Sequence, residues 1–192
     1  MTEPEDDPKD PFRLGDDPGW RPGPRDGRPD GLVALRFVFL SFCVALLMIG
    51  VVVGLLASSV AERDQVTSGP VALVGVVVIG VLSLVLVRFV PIRLDCADEL
   101  ALARSWRGRF FARMAASEVS ALAGFIAFHL TGVPALYPVG LVFTAIGFAV
   151  SGPLRANLVR DQEALALRAC AIPLVPALRR PVPRAADGRR GR

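Results

Sequence analysis

The chain has 192 residues, 53% of them hydrophobic, with a mean hydropathy of +0.49 and a formal net charge of +4. Its apolar residues are gathered into long blocks, which excludes an ordinary soluble domain and indicates a multi-pass membrane protein. All but one of its 22 Lys and Arg residues fall on one side of those blocks, and only Lys9 is a lysine.

Residues 1–31 are rich in Asp, Pro, Gly and Arg, with nine acids against five bases, and are predicted to form a disordered cytoplasmic tail. The first apolar stretch, Leu32 to Ser58, contains Gly50-x-x-x-Gly54, and the second, Gly69 to Val90, contains Gly75 and Gly80. These glycines allow close backbone approach, with packing inside the monomer the plainer use. The third and fourth stretches run from Phe110 to Thr131 and from Val133 to Gly152. Each is near the ~20 residues that a helix needs to cross hydrocarbon, and lipid leaves backbone polar groups no partner outside a helix.

About ten residues join the first two stretches, and Gly132-Val133-Pro134 joins the last two, so each pair forms a hairpin. The expected fold is an all-α integral membrane four-helix bundle of two antiparallel transmembrane hairpins. Its transmembrane domain covers 32–153, with spans at about 32–58, 69–90, 110–131 and 133–152. Pro91, Pro134 and Pro153 mark helix ends. Ser59-Val60-Ala61 resembles a signal-peptidase site, but an acidic tail before some 27 apolar residues is unlike a signal peptide, and the first span is expected to be retained.

Basic residues cluster in the N-terminal tail, between the second and third spans, and after the fourth, leaving only Arg63 in the first hairpin. By the positive-inside rule both termini are expected to be cytoplasmic, in a bacterial plasma membrane. Cys43, Cys96 and Cys170 show no CxxC pairing and no adjacent His. No disulfide, metal or cofactor is expected on a reducing inner side.

Two inner segments read as amphipathic helices lying along the membrane face. In 94–114, Leu102, Trp106, Phe110 and Met114 recur every four residues between Arg104, Arg107, Arg109 and Arg113. These four arginines are candidate contacts for anionic lipid head groups, at ~1 kcal/mol per charge, although simple positive-inside anchoring explains them as well. In 154–172, Leu158, Leu165, Ala169 and Ile172 oppose Arg155, Asp161, Gln162 and Arg168. Residues 154–192 therefore form a basic cytoplasmic amphipathic segment whose end, from Pro181, is predicted to be disordered.

The sharpest local feature is Glu118, an acid set among small and apolar residues of the third span. A charge at the centre of a span costs on the order of 3 kcal/mol, so Glu118 must find a partner, face the bundle or be protonated. Arg36 and Arg88 approach the same depth and offer an ion pair. His129, eleven residues further on, returns to within ~20° of the same helix face. The residues Glu118, Arg36, Arg88 and His129 thus form a candidate intramembrane polar cluster, read as a structural ion pair, a proton relay or a partner contact. Ser41, Ser83, Tyr137, Thr144 and Ser151 read as interhelical hydrogen-bonding groups rather than catalytic ones.

An acid after small residues and before Gly124-Phe125 loosely resembles the proteolipid subunits of rotary ATPases, and a four-span chain with a membrane Glu resembles small multidrug exporters. The glycine-repeat helix and Arg-Gln-Pro-type loop of the proteolipids are missing, and the exporters carry their acid in the first span. The arrangement from Arg109 through Pro153 to Gln162-Glu163, with Arg used almost to the exclusion of Lys, resembles uncharacterised small four-span membrane proteins of high-GC Gram-positive bacteria. That resemblance covers roughly the last two spans, and implies a membrane fold without implying an activity.

The expected role is structural: an assembly or interaction protein acting at the cytoplasmic face. Its expected partners are the lipid bilayer with its anionic lipids, and another membrane protein or a second copy; nucleic acid is not among them. The alternative is a small proton-linked transporter or channel subunit using Glu118. An enzyme is disfavoured, because the aqueous loops lack convergent polar groups.

Overall fold

A computed structural model describes residues 17, 19–20, 30–61, 68–89 and 93–180. Among them the fold is all-helical: α1 (Gly31–Ala61), α2 (Gly69–Phe89), α3 (Glu99–Thr131), α4 (Leu136–Ser151), α5 (Arg155–Ala166) and α6 (Leu174–Arg179). Three of these, α1, α2 and α3, are each long and apolar enough to cross a membrane. The 16 residues of α4 are too few for a full crossing alone. Joined to α5 through a 52° bend, they make a fourth candidate.

Local chemistry sets the helix ends. Asp30 caps α1, its Oδ1 accepting from the backbone N–H groups of Leu32 (3.0 Å) and Val33 (3.4 Å). Asp98 caps α3 by accepting from Ala101 N–H at 2.7 Å. At the far end of α3, Gly132 takes the left-handed conformation (φ 67°), and its N–H closes the helix onto Phe128 O. Pro153, lacking an N–H, prevents α4 from running straight into α5. The carbonyls freed at this bend are taken up by side chains of α5. Asn157 Nδ2 donates to Ala149 O and Gly152 O, and Arg160 Nη2 donates to Val150 O.

The spans pack unequally. In α1 only 11% of the residues in the apolar window are buried and in α2 22%, against 44% in α3. The centre of the bundle is the α3/α4 hairpin, flanked by α2, with α1 leaning on one edge through Phe39, Leu46 and Gly50. Phe39 meets Phe148, and the Tyr137 hydroxyl donates to Leu46 O at 2.5 Å across the face left open by Gly50. Gly50 and Gly80 pack inside the molecule, against Tyr137 and Phe143, whereas Gly54 and Gly75 face open space.

On the basic side the structure corrects two expectations. Residues 94–114 do not form a separate interfacial helix, because α3 is continuous from Glu99. Its stripe of Leu102, Trp106, Phe110 and Met114 is buried against Leu158 and Leu165 of α5 and Leu174, Ala177 and Leu178 of α6. The apolar faces read as lipid-facing cover one another, forming a small folded cap. Second, Cys96 and Cys170, 74 positions apart in sequence, are joined by a disulfide, with their Cα atoms 6.0 Å apart. The return of α5 along the start of α3 brings these two loops together. Cys43 is the free cysteine among the described residues. The tails expected to be disordered, 1–31 and 181–192, lie mostly outside the described residues.

Candidate functional site

The polar groups of the spans come from small residues at helical spacing. Along α3, Ser117, Ser120, Ala121 and Gly124 share one face, and along α4, Gly140, Thr144 and Gly147 do. A Cβ added at Gly140 would sit 2.2 Å from Ser120 O, and one at Gly124 would sit 2.6 Å from Leu136 O, so the two backbones touch. At this contact the Thr144 hydroxyl donates to Ser117 O (2.8 Å) and accepts from Ala121 N–H (3.1 Å). One turn away in the same layer, Ser83 of α2 and Ser120 share a hydroxyl hydrogen bond at 2.6 Å. The interhelical role read for Ser83, Tyr137 and Thr144 is therefore observed. Ser41 instead bonds its own helix at Phe37 O, and Ser151 Oγ is buried without a partner among the described residues.

The expected polar cluster does not assemble. Arg36 is 4% exposed and its guanidinium is fully committed elsewhere. It makes a bidentate ion pair with Asp17 (2.6 and 2.7 Å), and donates to Gly19 O and, through Nε, to Pro153 O (3.1 Å). Pro153 lies six residues beyond Gly147, which touches Ser117; at 1.5 Å per residue, Arg36 is thus anchored about 9 Å nearer the basic end than Glu118. Glu118 itself is half-buried, with no ion pair or hydrogen bond among the described residues. Arg88 and His129 are both exposed, the imidazole standing edge-on to Phe125 with ring centroids 4.6 Å apart.

Asp17 carries the opposite half of the Arg36 contact. Burial alone would raise its pKa, but the Arg36 hydrogen bonds, the Gly19 N–H, and the charges of Arg36 and Arg155 outweigh it and hold the carboxyl below the ordinary aspartate value. Trp20 lies over the same guanidinium, 6.0 Å from its ring centroid. Asp17, Trp20, Arg36, Leu154 and Arg155 line a cavity of about 230 Å³.

The four arginines read as head-group contacts divide. Arg107 Nη2 donates to Leu178 O and Arg180 O (both 3.1 Å), capping α6. Arg109 pairs with Asp161, whose Oδ2 also accepts from Trp106 Nε1 at 2.8 Å. Both are thus engaged inside the protein, although Arg107 Nε is buried without a partner among the described residues. Arg104 is exposed, and Arg113 is half-buried with its Nε buried and unpartnered. Two further pairs, Arg179–Asp30 (2.8 Å) and Arg180–Glu99 (2.5 Å), tie the end of α6 to the starts of α1 and α3.

Sequence reasoning missed Asp17 and Asp161, which looked like members of a solvated acidic tail and a polar helix face. The small-residue stripes 117/120/121/124 and 140/144/147 were a legible signal for the α3/α4 contact. Among the described residues no group of three or more His, Cys, Asp or Glu could hold a metal ion. Fold and polar layer together define an all-helical protein with helices of transmembrane length and composition. No family model, no curated protein and no solved structure matches the chain.

Proposed function

We propose that this chain is a four-span protein of a bacterial plasma membrane, with both termini cytoplasmic, and that it recruits or stabilises other membrane proteins through its basic side. One observation carries this reading: the two charged tails are rooted side by side. Asp30, where the acidic 1–29 segment ends, pairs with Arg179, and the backbone at Gly31 lies against Leu178 O and Arg180 O, where the basic segment from Pro181 begins. A partner meets acidic and basic chain at one point of a folded cap. The distribution of arginines supports the orientation. Affinity purification from detergent with mass spectrometry tests the role, comparing the full chain with one lacking residues 1–29. A partner lost on truncation is the expected result, and identical protein profiles would refute it.

Two observations favour other readings. Disulfides persist in oxidising compartments, so Cys96–Cys170 favours the reverse orientation, with the cap outside. Labelling of Cys96 by a membrane-impermeant maleimide, in intact cells after mild reduction, would establish that orientation. The carboxyl group of Glu118, without a partner among the described residues, favours proton-linked transport. Loss of pH-driven flux in Glu118→Gln proteoliposomes, with folding intact, would select it.

A further inference from the structure

Arg113, unlike Arg107 and Arg109, makes no hydrogen bond or ion pair among the described residues. Its Nε, like that of Arg107, is buried without a partner among them, and the charges acting on it are those of Arg109, Arg160 and Arg88 against a single acid, Asp161. That acid is already engaged by Arg109 and by the Trp106 indole. Helix register brings the remaining groups to one level. From the Ser83–Ser120 contact, Arg88 lies five residues along α2 and Arg113 seven back along α3, or about 7.5 and 10.5 Å toward the basic end. From the Gly147–Ser117 contact, Ser151 lies four residues along α4 and Arg113 four back along α3. Ser151 Oγ is another buried polar atom without a partner among the described residues. Arg160 reaches this layer from α5 by donating to Val150 O at 2.9 Å.

Three arginines from three helices thus converge with two unsatisfied polar atoms where the bundle meets its cap. Toward the bundle from Arg88, α2 exposes an apolar stripe of Leu82, Val85 and Leu86, and next to Arg88 the helix ends in Phe89, 72% exposed. Guanidinium forks match phosphate oxygens, and an apolar stripe beneath them suits acyl chains rather than water.

We infer that Arg88, Arg113 and Arg160, with Ser151, form a binding site for the phosphate of an anionic phospholipid whose acyl chains lie along the exposed stripe of α2. This rests on the membrane embedding proposed above and assigns that side of the protein a specific lipid. It also replaces Arg107 and Arg109, which are committed internally, with Arg88 and Arg160.

The test is native mass spectrometry of the full chain in detergent, titrated with phosphatidylglycerol or phosphatidylcholine. Wild type is expected to retain phosphatidylglycerol in preference. Arg88→Ala and Arg160→Ala, both at exposed positions, should each weaken that retention about fivefold, as expected for one interfacial charge. Arg93→Ala and Arg104→Ala, exposed but outside the layer, should change it less than about twofold. Equal losses in all four variants, or equal retention of the two lipids by wild type, would overturn the site. Binding of inorganic phosphate as tight as that of phosphatidylglycerol would overturn its assignment to a lipid. Carbonate extraction of the protein from membranes would instead sink the membrane reading itself.

Discussion

The two ends of α3 are held by different physics. From Ser117 to Thr131 it meets α2 and α4 through Gly, Ala, Ser and Thr, with hydroxyls bridging backbones that touch. From Leu102 to Met114 it is held by large side chains, by ion pairs and by a disulfide. In lipid there is little hydrophobic gain in bringing two apolar helices together, so close approach and polar bridges decide the contact. In the embedding proposed above the alternative surrounding of the cap is water, where burying Trp106 and Phe110 is favourable in itself.

Trp106→Ala should have the largest effect. It empties a site that is 2% exposed, removes the stacking on Phe110 and strips Asp161 of a donor, at a cost of about 3–5 kcal/mol. Thermal unfolding in detergent should show it as a loss of the cap, and an unchanged transition would break the comparison. Reduction of Cys96–Cys170 should lower stability next, by about 2–4 kcal/mol, as is typical of a native disulfide. Scans with and without dithiothreitol measure it, and Cys96→Ser should reproduce the reduced curve.

The bundle end is sharpened by a glycine pair. Gly140→Ala forces a Cβ into Ser120 O and should cost about 1–3 kcal/mol, whereas Gly54→Ala enters open space and should stay within about 0.5 kcal/mol. Equal effects in the same unfolding assay would mean that the hairpin does not depend on close approach. The smallest effect concerns Asp17. Because its folded pKa lies below the ordinary value, its pairing with Arg36 is complete at neutral pH and is lost as pH falls through the folded value, below about pH 4. Trp20 emission in a Trp106→Phe background should stay flat down to that point, and Asp17→Asn should show the low-pH signal throughout.

Much of the helical layout was legible because a run of apolar residues has only one way to satisfy its backbone in lipid. α1 and α2 begin and end within about three residues of the stretches read from hydropathy. α4 proved shorter, because Pro134 lies in a turn that delays its start to Leu136. The cap was misread for a specific reason. An amphipathic stripe such as Leu102, Trp106, Phe110 and Met114 announces that one face is buried, without saying whether lipid or protein covers it. The candidate site was misread for a related one. Arg36 and Glu118 are close in hydropathy depth but about 9 Å apart by helix register, and only packing reveals that Asp17 is the nearer acid.

By itself, the sequence determined that this protein has long apolar helices with arginines clustered outside them, since these follow from composition and period alone. Only the tertiary structure decided which arginines are already paired, that Cys96 meets Cys170, and that the two charged tails begin at one point. Those depend on contacts between residues many tens of positions apart, where helix ends and bends fix the geometry and no local pattern records it.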